Sequence, residues 1–563
     1  MNGTGTQVLK GNGAIGQALS VTKGTLELTG AEGGNGSVTY KSLTAGSGAH
    51  VRLSPVGEGT GAVNTTLTVA NGLNLQNSHL DLVINTNRDD LFSSPVITVQ
   101  AGDVNLDGTT VSLGSLGDYD DPADPTANLN FTLVDATGAG TVSANGATVD
   151  ASGYFDFYYQ EFGIRTEGGK IVVTGMVKTE NAFMDAANTA NSEAGANLLW
   201  NNRGNAPKGT QLGDLREAVR NDIQSGNTSR AARSMAAAAG STVNALGTAQ
   251  KDALRDQMGW IRNRTTLMGV NPAYVNEDLP CFHMWMEGTG SYAKLDTRGD
   301  ESGYELTTWG GTVGMDVDIN DRFTAGAAFT ANYGSLTASA ADTADGDLDS
   351  YYVNLFARYQ YRKWSHLLIL TGGWNDASLT RTVDYGTGSY QARGNTTGSG
   401  FGAMYELAYD IALNEDRSVI LQPLFNASIV TTRMDGYRES GSAGNAGLKV
   451  EDQELTTAAV AVGARLSGLM GSNVFGREAL GEVRVNVSQD MGDRRGQANV
   501  GFLADPSYTR PVYGAKVGST AFQIGAGLSV PVGTQGVIFV DGNADIRSGS
   551  SSINGSIGYR YNF

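Results

Sequence analysis

The chain has 563 residues, 77 of them glycine, with one cysteine, four histidines and a formal charge of −18. A lone Cys281 permits no internal disulfide or paired-thiol metal site, and His50, His79, His283 and His366 are not spaced as metal-ligand pairs. The acidic balance argues against a nucleic-acid binder, and no apolar run is long enough for a membrane-spanning helix.

The charge is unevenly spread. Residues 1–180 carry a net −10, residues 201–269 a net +5 and residues 281–563 a net −9. Residues Met1–Lys10 show no basic region followed by an apolar stretch, so no signal peptide is visible, and the chain is expected to begin inside a longer precursor.

Residues 1–180 are strand-like throughout. Short pieces such as Leu26-Glu27-Leu28, Leu73-Asn74-Leu75, Leu80-Asp81-Leu82 and Val111-Ser112-Leu113 alternate apolar with polar side chains, and Asn-Gly, Gly-Gly and Asp-Gly turns separate them. Their loose spacing suits degenerate rungs of a β-solenoid, with a β-sandwich as the alternative that periodicity leaves open.

Residues 181–280 change character. Strand alternation gives way to alanine, arginine and leucine, a helix start is read at Leu212–Val219, and strong helix formers fill Arg230–Ala239 and Ser241–Leu267 around Gly240, Gly247 and Gly259. Neither face of this helical linker reads as strongly apolar, which suits a polar channel better than a greasy core.

From residue 281 to the end, segments of about ten residues alternate large apolar with small or polar side chains. Trp309, Gly311, Val313, Met315 and Val317 oppose Gly310, Thr312, Gly314, Asp316 and Asp318. Ile553, Gly555, Ile557, Tyr559, Tyr561 and Phe563 oppose Ser552, Asn554, Ser556, Gly558, Arg560 and Asn562. Twelve strands are expected, at 283–295, 307–318, 322–335, 348–361, 364–375, 398–412, 418–431, 453–467, 479–490, 518–531, 536–546 and 551–563. Long polar connections (Asp376–Thr397, Thr432–Asp452, Met491–Val517) alternate with tight turns (Asn320-Asp321, Arg362-Lys363), which separates a transmembrane barrel from a soluble sheet. Trp285, Trp309, Trp364, Trp374 and Tyr561 near strand ends fit interfacial girdles.

By strand parity the lumen receives Asp316, Asp318, Glu406, Asp410, Glu482, Asp541 and Asp545, while the linker offers Arg216, Arg220, Arg230, Arg233, Arg255, Arg262 and Arg264. Opposite charges of this kind predict that the segment near Ser241–Leu267, with Arg255, Arg262 and Arg264, plugs the lumen through charge-assisted contacts.

This order resembles type V autotransporters of Gram-negative bacteria. Tyr559-Arg560-Tyr561-Asn562-Phe563 resembles the C-terminal signature of outer-membrane barrels, in which Tyr559, Tyr561 and Phe563 would be read by the assembly machinery. Residues Asn71–Gly175 resemble the C-terminal end of an autotransporter passenger, through Asp89-Asp90-Leu91, Phe131-Thr132-Leu133-Val134 and Gly169-Lys170-Ile171-Val172-Val173. Gly24-Thr25-Leu26-Glu27-Leu28-Thr29-Gly30 resembles the family's short β-repeat.

The resemblance implies an all-β chain with a helical linker. Residues 1–180 would be the end of a right-handed β-solenoid passenger, residues 181–280 a linker partly in the pore, and residues 281–563 a 12-stranded transmembrane antiparallel barrel. Expected partners are outer-membrane lipid, the barrel-assembly machinery and periplasmic chaperones, with a monomeric barrel, no nucleic acid and no cofactor. The passenger's ligand is unknown. Rival readings are a surface adhesin or self-associating protein, and a passive outer-membrane pore.

Other motifs weigh less. Gly11-Asn12-Gly13-Ala14-Ile15-Gly16 fits a dinucleotide fingerprint in letters, but a strand rather than a helix follows. No GxSxG or phosphate-binding loop occurs, and a triad would have to recruit His50 or His79 from solenoid rungs, so no enzyme is expected. Asp345, Asp347 and Asp349, and Asp118, Asp120, Asp121 and Asp124, are read as solvated loop acids rather than a calcium site. Asn201-Asn202 is the pair type at which some autotransporters cleave themselves; here it lies about 80 residues before the first strand and is read as uncleaved linker. Cys281 is read as structural.

Overall fold

A computed structural model describes the whole chain except residues 1–2, 12–13, 32, 58–60, 86–94, 116–125, 139, 208, 270–280, 387 and 473–477. Asp89-Asp90-Leu91 and the Asp118–Asp124 acids thus lie outside the described residues. Two compact units are present: Met1–Ala186 with Leu199–Thr228, and Ala187–Leu198 with Ser229–Phe563.

The first unit is a parallel coil. Strands Thr6–Lys10, Thr25–Thr29, His50–Leu53, His79–Ile84, Thr110–Ser115 and Thr148–Ala151 form a six-stranded sheet in chain order, every neighbour parallel. Thr25, His50, His79, Thr110 and Thr148 stack in register, at intervals that grow from 25 residues to 38. That drift explains why no exact repeat shows in the sequence. Leu26, Val51, Leu80 and Val111 point inward, 3% exposed or less, which is what apolar–polar alternation demands of a half-buried strand. Asp103 accepts from the Thr141 amide and hydroxyl one rung on, and Asp107 from Ser143 and the Asn145 amide; these bonds hold both carboxyls below the usual range. His50 stacks on His79 at 4.3 Å and its Nδ1 lies 3.0 Å from Asp81, as part of the rung ladder. Ala14–Val21 is a strand, as the residues after the glycine-rich hexapeptide suggest.

The coil ends in a cap. Leu129–Asp135 pairs antiparallel with Lys170–Val177, which pairs antiparallel with Tyr159–Glu167. Helix α1 (Tyr154–Tyr158) brings Tyr154, Phe155, Phe157 and Tyr158 inside, against Phe183 and Trp200. Phe155 is fully buried, so Phe155→Ala is expected to destabilise this unit by about 3–5 kcal/mol through lost burial and the cavity left behind. Trp200 is the unit's only tryptophan, so a lower urea midpoint of its fluorescence in the full chain checks this.

Beyond it run α2 (Ala190–Asn201), α3 (Gln211–Gln224), α4 (Thr228–Ala238) and α5 (Ala245–Gly269). Thr210 caps α3 by accepting from the Gly213 amide. The α4–α5 corner turns at Gly240, whose φ of +77° only glycine adopts without strain.

The second unit is dominated by twelve long strands: β1 (Cys281–Leu295), β2 (Gly303–Asn320), β3 (Phe323–Ser339), β4 (Thr343–Tyr361), β5 (Trp364–Asp384), β6 (Ser389–Tyr409), β7 (Val419–Met434), β8 (Gln453–Ser472), β9 (Glu478–Gly492), β10 (Thr520–Val532), β11 (Gly536–Arg547) and β12 (Ser550–Asn562). Each pairs antiparallel with the next, and β1 pairs antiparallel with β12 from His283↔Asn562 to Leu295↔Ser550, so the sheet closes on itself. Closure satisfies every ladder hydrogen bond without an edge, the condition for strands in lipid.

The outer face is apolar. Trp309 is 65% exposed, Val462 60% and Ile557 60%, and among the described residues only Val8, Met176 and Met184 of the exposed large hydrophobics precede the barrel. Two aromatic clusters border the belt. One holds Trp309 with Tyr333 and Tyr351 with Trp374; the other holds Tyr359, Tyr361, Trp364, His366, Tyr405 and Tyr409. Along β4, ten residue steps separate Tyr351 from Tyr361, which at ~3.4 Å each and ~40° tilt is about 26 Å, the height of an outer-membrane apolar band. No described helix is long and apolar enough to cross a membrane.

Three expectations are corrected. Trp285 is not a girdle residue: it faces the lumen and is 4% exposed. Asp376–Thr397 is not a loop, because β5 and β6 run on to Asp384 and from Ser389, and Asp345, Asp347 and Asp349 stand on the outer face of β4 rather than in a loop. Beyond the lipid belt both faces of a strand are wet, so polar–polar sequence reads as loop while the ladder continues. The connections after β7 and β9 are long, yet folded: Tyr437–Arg438, Leu448–Val450, Gln497–Phe502 and Arg510–Tyr513 form a four-stranded antiparallel sheet over buried Leu448, Val500, Phe502 and Val512.

Candidate functional site

The lumen is occupied by α5, which meets β2 to β8, β10 and β11. A single helix that touches strands on opposite walls lies along the barrel axis.

Its seat is apolar on one side, contrary to the reading that neither face is. Leu254, Met258 and Ile261, spaced to share one helix face, pack against Trp285, Tyr352, Phe356 and Ile369. Leu267 and Met268 close the short-turn end against Leu480, Val537 and Phe539, and Leu246 and Ala249 fill the other end against Leu306, Leu348 and Leu379. On the opposite side Asp256, Gly259, Arg262, Asn426, Ser488 and Gln523 line a polar cavity of about 90 Å³, room for several waters. Gly259 keeps that space open; a Cβ there would meet nothing within 4 Å.

The polar contacts are specific. Gln250 Nε2 donates to Asn375 at 2.6 Å and to the Ser399 carbonyl at 3.0 Å, and Gln257 Nε2 to Thr330 at 2.8 Å. Arg264 Nη2 donates to Asp316 at 2.9 Å while its guanidinium lies 3.9 Å from the Trp285 ring centre. Arg262 stands 4.0 Å from Glu406, Arg255 donates to Asp490 at 2.9 Å, and Asn263 to Asp541 at 2.9 Å.

All seven sequence-predicted acids face the lumen side, but only Asp316, Glu406 and Asp541 meet α5. The wall itself holds the others. Glu482 pairs with Arg484 at 2.7 Å, Asp545 with Arg547 at 2.7 Å, Asp318 with His283 at 3.0 Å, and Asp410 accepts from Gln360 and Gln422. Glu406 also pairs with Arg465 at 2.6 Å, and Asp541 with Arg484 at 2.6 Å. The wall arginines Arg465, Arg484, Arg547 and Arg560, and the acids Glu287 and Asp490, escaped the sequence reading. The same parity that selects Glu482 selects Arg484 two residues on, so the signal was present. Of the linker cations, Arg255, Arg262 and Arg264 lie on α5; Arg216 and Arg220 lie on α3 in the first unit, where Arg216 donates to backbone carbonyls of Arg203 and Ala206.

At the C-terminus Tyr559 and Phe563 face outward, 39% and 63% exposed, and Tyr561 packs edge-on against Phe563 at 5.0 Å. The Phe563 amide donates to the Phe282 carbonyl at 3.0 Å. Asn201 ends α2 and Asn202 is fully buried in the first unit, so neither lies on α5. Among the described residues no group of three His, Cys, Asp or Glu side chains could hold a metal ion.

Residues 284–543 match the family model described as the autotransporter β-domain. Over 181 residues, 32% of the chain, the sequence is 32% identical to esterase EstA of Pseudomonas aeruginosa and to that of Pseudomonas putida. The matched stretch spans 26% of those curated relatives' length. Among solved structures, the translocator domain of autotransporter NalP from Neisseria meningitidis aligns with TM-score 0.43 and 16% identity, covering 57% of this chain and 100% of that one. The transport unit of AIDA-I from Escherichia coli aligns with TM-score 0.37 and 16% identity, covering 53% and 97%.

Proposed function

We propose, from the premise that residues 284–543 are the β-domain of an autotransporter, that this type V translocator unit carries residues 1–180 to the cell surface and stays attached to them. The barrel belongs to the outer membrane. The observation that carries the export reading is α5 in the lumen: the chain leading from the solenoid to β1 passes through the pore. A filled lumen disfavours a passive pore.

The barrel would fold with the outer-membrane assembly machinery, reading Tyr559, Tyr561 and Phe563, after escort by periplasmic chaperones. The barrel is monomeric in this reading and no cofactor is needed. Parallel rungs ending in the antiparallel cap offer each preceding strand a formed edge, so the end of the coil would template surface folding. Asn201-Asn202 stays uncleaved in this reading, because the pair belongs to the end of α2 and the residue after it and is not part of α5. We assign catalysis to no residue of the chain, and the esterase named in the relatives is taken as a property of those proteins.

Protease added to intact cells tests this. Residues 1–180 are expected to be digested while β1–β12 persist, and removal of β12 is expected to abolish that accessibility. A solenoid protected in intact cells and digested only after lysis would refute it.

A further inference from the structure

The end of the barrel that carries the long connections holds a second, separate charge network. Arg381, on β5, is fully buried. Its Nε and Nη2 donate to the two Glu439 oxygens at 2.6 and 2.9 Å, a bidentate fork, and its Nη1 donates to Asp342 Oδ2 at 2.9 Å. The same Nη1 donates to the Ala237 carbonyl, at the end of α4, at 3.1 Å. Asp342 in turn accepts from the Thr242 amide and hydroxyl, at 3.2 and 2.7 Å. Glu439 also accepts from the Leu448 amide at 2.8 Å, which ties the four-stranded sheet into the cluster.

Strand β5, the β3–β4 turn and the β7–β8 connection thus converge on one corner of the linker. That corner is Gly240, and it is tight: an added Cβ would lie 2.7 Å from Leu448 Cδ1 and 3.0 Å from Val243 Cγ1. The network contains no residue of α5 and none of the acids around it. Its barrel part, Arg381 with Asp342 and Glu439, is complete within the wall, whereas the bonds to the Ala237 carbonyl and to Thr242 form only when the corner has reached this height, that is, when α5 is seated.

We propose that Arg381 is a positioning residue that locks the α4–α5 corner over the outer mouth and seals the pore against small solutes, independently of the contacts α5 makes inside. This rests on the export reading above, in which the linker comes to rest in the mouth. Burial explains why one arginine suffices. Its three partners are stripped of water, so loss of the guanidinium leaves two buried carboxylates facing each other across the corner.

The test uses the full chain, purified in detergent and reconstituted in planar lipid bilayers, with surface display scored in parallel in cells. Arg381→Met is expected to raise the time spent conducting by about tenfold or more, with display and heat-modifiable gel migration retained. Arg381→Lys keeps the charge but not the fork and is expected to leak less than Arg381→Met. Exchanging the charges, Arg381→Glu with Glu439→Arg, is expected to restore closure in part. A folded, displayed Arg381→Met protein that stays as closed as the parent overturns the proposal. Should Arg381→Met fail to fold, Asp342→Asn and Glu439→Gln decide: intermittent conductance supports the lock, and parental closure of both overturns it. Loss of display in protein whose barrel is folded would count against the export reading instead.

Discussion

A barrel that begins at Met268 is expected to conduct, whereas one that begins at Ser229, and so keeps α4 and α5, is expected to stay closed. An α-helix with its side chains is ~10–12 Å across, so its removal leaves a channel of about that width, open to hydrated ions. The walls would not collapse to fill it, since the ladder from β1 through β12 is closed by its own hydrogen bonds. The vacated lumen would also carry a definite sign. Among the described residues, and apart from the mouth cluster of Arg381, Asp342 and Glu439, nine inward carboxylates (Glu287, Asp316, Asp318, Glu406, Asp410, Glu482, Asp490, Asp541, Asp545) face five inward arginines (Arg358, Arg465, Arg484, Arg547, Arg560), an excess of four negative charges. On α5, Lys251, Arg255, Arg262 and Arg264 exceed Asp252 and Asp256 by two positive charges. Removing the helix therefore deepens the negative potential, and the open barrel is expected to prefer cations. Single-channel recording in asymmetric salt checks both points. A silent Met268 barrel, folded by heat-modifiable migration, would mean that α5 is not what closes the pore.

The barrel was legible because lipid outside and a wet lumen inside force a strict period of two. Parity fixes which residues share a face, yet not always which face that is. In β1, Phe282, Met284 and Met286 alternate with Cys281, His283 and Trp285, and hydrophobicity alone does not say that Trp285 points inward. The stripe Leu254-Met258-Ile261 was hidden by Arg255 and Asp256 between its members and by Arg262 and Arg264 just after it, and its aromatic seat spans several strands. The Arg381 cluster lies still further from a local signal. Its partners Asp342 and Glu439 are 39 and 58 residues away along the chain, and a third partner is a backbone carbonyl. Charge bookkeeping by region was informative in sign only: a cationic segment between acidic bodies pointed to the plug, while most lumen acids were already neutralised by wall arginines of the same acidic body.

That last point gives the wall its own sharp dependence, and Arg484→Met is expected to be among the most destabilising substitutions in the barrel. Arg484 is 2% exposed and donates to Glu482 at 2.7 Å, Asp541 at 2.6 Å and Asn543 at 2.8 Å. Methionine matches the side chain's bulk but leaves two buried carboxylates short of a counter-charge, a loss of about 3–5 kcal/mol where a buried pair is broken from one side. Glu482 would keep Arg465 at 3.5 Å and Asp541 would keep Asn263 and Asn543, which places the loss toward the lower figure. The discriminating step is to remove the orphaned charges as well. Glu482→Gln with Asp541→Asn in the Arg484→Met background is expected to recover most of the stability, because replacing all members of a buried ionic cluster can be nearly neutral where breaking it is costly. The temperature at which the folded barrel converts to its slower-migrating form on a denaturing gel reads the effect. If the triple variant melts as low as Arg484→Met alone, the arginine stabilises by packing and hydrogen bonding to Asn543, and charge compensation is not what holds this wall together.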